Sequence, residues 1–191
     1  MDSDTITVVS GLPRSGTSMM MKMLEAGGLT PLTDNRRVAD EDNPKGYYED
    51  ERIKRLAKDA SWLGEARGKV VKVVSPLLKH LRGEFRYRIV FVRRDMAEVL
   101  ASQRQMLVRR NQPTDAVSDD QMTAAYGKHL AGIEAWLGEQ PNIDVLYVTY
   151  KDVVAAPAEH AERINQFLGR RLDTASMVAA VDRTLYRQQR R

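Results

Sequence analysis

The chain has 191 residues, 42% hydrophobic and 29% charged, with a formal net charge of +4, a length and balance that suit a soluble domain with its own core. It contains no Cys, which excludes disulfides, thiolate metal sites and a cysteine nucleophile, and fits the reducing cytoplasm as the expected location. His80, His129 and His160 are far apart and form no compact metal-ligand motif. No apolar run approaches the roughly 18 residues of a membrane span, and the opening MDSDTITVV lacks the features of a signal peptide. Basic residues are spread along the chain without a nucleic-acid recognition motif.

Residues 5–10, TITVVS, form a β-rich apolar run that predicts a buried strand. After a glycine-bounded loop, Met19, Met20, Met23 and Leu24 recur at helical spacing, and Gly27-Gly28 stops that helix. Residues 29–48 are rich in Pro, Asn, Asp and Gly and predict an irregular excursion. A helix is expected near 49–60, a second buried strand over Lys69–Val74, a short helix over 76–82 and a third strand over Arg88–Val92. Asp95 and Glu98 have the D-x-x-E form of a helix start, and Met96, Val99, Leu100, Gln103, Met106 and Leu107 continue that helix.

Residues 109–118 read as a loop, and Ser118 with Gln121 forms a second capping box that opens the longest helix. Its apolar face carries Met122, Tyr126, Leu130, Ile133, Trp136 and Leu137. Asp144–Tyr150 predicts a fourth strand, Pro157 the first turn of a last helix and Gly169 its stop, ahead of a basic, fraying tail over 183–191. Strands alternate with helices, and three of the four strands are near-continuous apolar runs. The expected fold is therefore one α/β domain over 1–191, with a parallel sheet covered on both faces.

Residues 11–18, GLPRSGTS, lie between the first strand and the first helix. Gly11, Gly16 and Ser18 have the spacing of the phosphate loop G-x-x-x-x-G-K-[ST], but Thr17 occupies the lysine position and Arg14 is the loop's cation. Backbone N–H groups at a helix N-terminus favour an anion, glycines allow close approach, and an arginine fork can hold two oxygens at once. Without the lysine that reaches the β and γ phosphates, the loop gives little support to ATP or GTP hydrolysis.

Pro13-Arg14-Ser15-Gly16-Thr17-Ser18 resembles the 5′-phosphosulfate loop P-[KR]-[ST]-G-T-[ST] of the sulfotransferase superfamily. A second segment, FVRRDMAEVLAS over 91–102, is similar to that family's 3′-phosphate segment, with Arg94 ending a strand and Ser102 eight residues later. Asn43-Pro-Lys-Gly-Tyr-Tyr-Glu49 is similar to the N-P-x-G-x-x-E segment of small bacterial members, Lys72-Val-Val-Ser-Pro76 to their K-x-x-P strand end, and Tyr150-Lys-Asp152 to a Y-E-D segment with Lys151 in place of Glu. The C-terminal G-x-x-G-x-x-K of cytosolic members is absent, which leaves Arg183 or Arg187 as replacement contacts.

The resemblance implies a P-loop-like enzyme that uses 3′-phosphoadenosine 5′-phosphosulfate. It would move the sulfuryl group to a hydroxyl or amine of a small-molecule or peptide acceptor and leave adenosine 3′,5′-bisphosphate. It implies cofactor contacts from Pro13, Arg14, Ser15, Gly16, Thr17, Ser18, Arg94, Ser102 and Tyr150. Catalytic roles fall to Glu49 as base, with Asp50 second, and to Lys72 and Arg14, which would neutralise the developing charge without a metal. Two alternatives stay open at this level: a P-loop kinase or nucleotide hydrolase, and a binding module that holds a nucleotide without turnover.

Overall fold

In the computed structural model, which describes residues 4–34, 36, 46–114, 117–169 and 171–186, four strands form one parallel sheet. They are β1 (Thr5–Gly11), β2 (Val70–Lys72), β3 (Arg86–Arg93) and β4 (Ile143–Thr149), in the order β2-β1-β3-β4. Because all four run the same way, Gly11, Lys72, Arg93 and Thr149 end at one edge. The chain leaves β1 toward β2 on one side and later places β3 on the other, so the sheet reverses its winding between β1 and β3. A crevice opens at such a switch point, beyond the carboxyl ends of the strands. The turns after β1 and β3 flank it.

Alternate residues of a strand face opposite sides, and both sides here are apolar. Val9, Val90, Val92 and Val148 pack under helices α1 (Thr17–Ala26), α4 (Tyr150–Ala155), α5 (Pro157–Leu168) and α6 (Thr174–Ala179), against Met20, Met23, Val153, Ile164 and Met177. Ile6, Val8, Ile89 and Phe91 face the other way, against Trp62, Leu63, Leu78 and two residues of α3 (Asp119–Gly138), Ile133 and Leu137. This two-sided burial explains why the strand sequences are apolar without alternation.

The remaining helix, α2 (Met96–Arg109), follows β3, and its N-cap Asp95 accepts from Glu98 N. The Ser118 capping box forms with both of its hydrogen bonds: Gln121 N donates to Ser118 Oγ, and Ser118 N donates to Gln121 Oε1.

Several expected elements differ. The helix near 49–60 is instead a single 3₁₀ turn over Glu51–Arg55, with a second over Ser61–Ala66. Between them Asp59 accepts from both the backbone N and the hydroxyl of Ser61, a local bond that competes with helical propagation. The short helix at 76–82 is a 3₁₀ turn over Ser75–His80 with Pro76 in its first turn. β4 stops at Thr149, because Tyr150, Val153 and Val154 recur at helical spacing and bury together. Helix α6 was not foreseen; Asp173 caps it by accepting from Ser176 N. The expected tail lies, beyond Tyr186, outside the described residues.

Candidate functional site

The loop after β1 owes its shape to three backbone positions with positive φ: Gly11 at +151°, Arg14 at +70° and Gly16 at +102°. A Cβ on Gly11 would sit 2.5 Å from both the Val92 carbonyl and the Ser15 hydroxyl. A Cβ on Gly16 would lie 2.2 Å from the Tyr150 ring. Ser15 N closes the turn onto the Leu12 carbonyl at 3.1 Å. Gly16 is the N-cap of α1 and offers no side chain to its N–H groups, and the first turn carries no acidic residue. An anion there would meet the positive end of the helix with no acidic residue in its first turn. Ser15 Oγ is buried and has no hydrogen-bond partner among the described residues.

On one flank the loop meets α2. Arg14 Nε donates to Ser102 Oγ at 3.0 Å. Arg94 Nη1 donates to the Arg14 carbonyl at 3.1 Å, and its Nε donates to Glu98 Oε2 at 2.9 Å. The resemblance implies that Arg94 and Ser102 both contact the cofactor. The structure divides the work differently: Arg94 pairs with Glu98, and Arg14 reaches Ser102. Arg93, on the opposite side of the strand, pairs with Glu134 at 2.8 Å and lies over the Tyr147 ring. Tyr150 is buried, with its ring packed on the loop at Gly16.

On the other flank stands Lys72, the last residue of β2, held level with Val9 by the strand register. It is buried, and its Nζ donates to the Tyr47 carbonyl, lies 3.5 Å from Ser18 Oγ and 3.6 Å from Glu49 Oε1. A cation from the neighbouring strand thus reaches the loop whose own lysine position is Thr17. Glu49 is held through its backbone: its carbonyl accepts from Thr33 Oγ1 at 2.8 Å and from Asp34 N at 3.2 Å. Tyr48, at φ +53°, ties the same strap to α1 by donating to Glu25 Oε2 at 2.5 Å.

Asp50 is engaged elsewhere. It caps the Glu51–Arg55 turn, and the fork of Arg52 holds its carboxyl below the usual carboxylate range, which makes it a poor base. Pro13 is exposed and Thr17 buried at the loop's two ends. Arg183 turns to the Ala155 carbonyl at 3.4 Å rather than to the loop. Asn43, Pro44, Lys45 and Arg187 lie outside the described residues. Among the described residues no group of three or more His, Asp or Glu could hold a metal ion, and no helix is long and apolar enough to cross a membrane.

Two contributors escaped the sequence reading. Glu98 looked like part of a cap, but its side chain turns to Arg94 and Tyr186. Tyr186 sits 88 residues away from Glu98, in a segment that carried no motif.

The fold is that of an α/β protein of the P-loop-like kind, with the loop Pro13–Ser18 after its first strand. A model of the sulfotransferase domain matches residues 4–191, and the chain belongs to that family. No curated protein matches it by sequence. Among solved structures it is similar to the sulfotransferase domain of the Synechococcus PCC 7002 olefin synthase, at 14% identity over 95% of this chain and 86% of that one, with a TM-score of 0.56. It is also similar to a sulfotransferase from Alicyclobacillus acidocaldarius, at 13% identity over 97% of each chain and a TM-score of 0.54. A retinol dehydratase crystallised with androsterone and the inactive cofactor PAP shares 17% identity over 95% of this chain, with a TM-score of 0.52. The chain spans only 64% of that enzyme's length. At these identities the likeness is one of fold.

Proposed function

We propose that the protein is a sulfotransferase that takes its sulfuryl group from 3′-phosphoadenosine 5′-phosphosulfate and passes it to a hydroxyl or amine of a small-molecule or peptide acceptor. One observation carries the reading. The loop Pro13–Ser18 touches Ser102 through Arg14 on one flank, and Lys72 with Glu49 through Ser18 on the other. Two anion-binding positions and a proton acceptor therefore border one short segment.

The residues fit such a nucleotide. The uncapped N-terminus of α1, the unpartnered Ser15 hydroxyl and the hydroxyls of Thr17 and Ser18 are donors for the 5′-phosphosulfate. Pro13 forms the loop's outer edge. Ser102 and Arg14 hold the 3′-phosphate with Arg94 fixed behind them, and Tyr150 walls the nucleotide side. When bound, the donor supplies the sulfuryl group: its S–O bond to the nucleotide phosphate breaks as a bond from sulfur to the acceptor atom forms. Lys72 places fixed positive charge where negative charge develops, which is worth most in a water-poor site. Glu49 takes the acceptor's proton, and Lys72 at 3.6 Å orients its carboxylate. The same reading puts the protein in the cytoplasm, where a cysteine-free chain needs no oxidising environment.

The test is a thermal-shift comparison combined with one variant. Adenosine 3′,5′-bisphosphate in EDTA, at a hundred times its Kd, should stabilise the fold by about 2.7 kcal/mol, or about 5–10 °C. ATP with Mg²⁺ should do much less. Glu49→Gln should abolish sulfuryl transfer while leaving bisphosphate affinity within about twofold. Stabilisation by ATP–Mg²⁺ alone would make the protein a kinase or hydrolase, and near-normal turnover in Glu49→Gln would remove the base.

A further inference from the structure

Helix α2 presents Glu98 and Ser102 one turn apart on the same face, and each takes one arginine. Ser102 accepts from Arg14, and Glu98 accepts from Arg94. Arg94 then extends Nη1 to the carbonyl of Arg14. That carbonyl belongs to a non-glycine residue at φ +70°, a conformation that persists only where its surroundings enforce it. Arg14 and Gly16 have the positive φ found in the turns that make anion-binding nests. Arg94 therefore clamps the loop at its strained residue. The Arg94 and Glu98 side chains are 8% and 6% exposed, so the charge of this arginine is matched within the protein.

The clamp has a second support. Glu98 Oε1 accepts from Tyr186 Oη at 2.6 Å. The Tyr186 ring stands edge-on to Tyr150, with centroids 5.1 Å apart and planes at 88°. The Arg94 guanidinium lies over both rings, at 4.7 Å from Tyr150 and 5.5 Å from Tyr186. Tyr150 is the surface on which Gly16 rests. Tyr186 thus touches both structures that hold the loop, the Arg94–Glu98 pair and the Tyr150 ring. Its own segment is fixed by Asp182, which accepts from the backbone N and hydroxyl of Thr184, and by Arg183 on the Ala155 carbonyl.

We propose that Tyr186 is a positioning residue of the cofactor loop: through Glu98 and Arg94, the segment 182–186 sets the left-handed turn at Arg14 and so the affinity of the site for its anionic ligand. The loop effect stands on the geometry alone; its consequence for nucleotide binding rests on the function proposed above.

The test is Tyr186→Phe, which removes one hydroxyl and keeps the ring. Hydrogen exchange of the amides of 14–18, measured without ligand, should rise about tenfold, as for loss of one hydrogen bond to a charged group, while amides within β1 and β3 stay unchanged. Glu98→Gln should raise the same amides, and adding Tyr186→Phe to it should change them less than twofold. By calorimetry the variant should bind adenosine 3′,5′-bisphosphate about tenfold more weakly. Unchanged exchange at 14–18, a uniform rise over the whole sheet, or a full additional effect in the Glu98→Gln background would each overturn the proposal. Failure of the wild-type protein to bind bisphosphate would instead remove the donor assignment, and the exchange measurement would still decide the role of Tyr186.

Discussion

Replacing Gly16 with alanine tests the packing of the loop on Tyr150. Two costs add. At φ +102° an L-residue is strained by about 1–3 kcal/mol. The new methyl would also sit 2.2 Å from Tyr150 Cδ2, and that ring is pinned between Tyr186 and Arg94, so it cannot swing away cheaply. Overpacking of this kind costs about 1–3 kcal/mol. The sum is about 2–6 kcal/mol, which at roughly 2–4 °C per kcal/mol for a chain of this size lowers Tm by about 4–24 °C. Gly28 provides the control. It has the same φ of +102°, and a Cβ there meets nothing within 4 Å. Gly28→Ala should therefore show the strain alone, about 1–3 kcal/mol. Urea titrations of both variants, read as unfolding free energies, isolate the ring contact by difference. Equal losses in the two variants would refute the claim that Tyr150 supports the loop.

Lys72→Met should lower the unfolding free energy by about 1–3 kcal/mol, because the Tyr47 carbonyl loses its buried donor; it should also reduce kcat far more than it weakens bisphosphate binding, and equal losses in kcat and affinity would argue against a role at the reacting group. His129 accepts or donates one hydrogen bond with Ser75 at 2.9 Å, and burial, aided by the nearby Lys79 charge, holds its imidazole below its ordinary value. The unfolded chain then binds the proton more readily, so stability should fall as pH drops below about 6.5; the urea midpoint should decline from pH 7 to 5, less steeply in His129→Gln, and an identical slope would contradict the assignment.

What could be read beforehand was what local chemistry dictates. Two-sided apolar runs gave the strands, Gly27-Gly28 and Gly169 the helix stops, and Ser118 with Gln121 a capping box that forms as written. The 3₁₀ turns were misread as helix because Ile53, Leu56 and Ala60 have helical spacing, whereas Asp59 and Ser61 settle the backbone by their own hydrogen bonds. Within the site, the loop's place and turn were legible because they depend on consecutive residues. The pairing of arginines was not. Arg94 could have turned to Ser102 or to Glu98, both within reach of the same helix face; the structure pairs it with Glu98, whose other oxygen accepts from Tyr186, 88 residues away.

The question posed by Thr17 in the lysine position has a structural answer. In a parallel sheet the neighbour of β1 ends at the same edge, and the register sets Lys72 against Val9, just before the loop begins. A lysine placed there reaches Ser18 without belonging to the loop. The exchange changes what the cation is coupled to. A lysine within the loop would move with the loop alone, whereas Lys72 is also tied to the Tyr47 carbonyl and stands beside the Glu49 carboxylate. On the proposed function, charge stabilisation at the anion and orientation of the base then depend on one ammonium group. Displacing the strap 46–49 would disturb both at once, and the Tyr48–Glu25 hydrogen bond that holds the strap to α1 becomes part of the same arrangement.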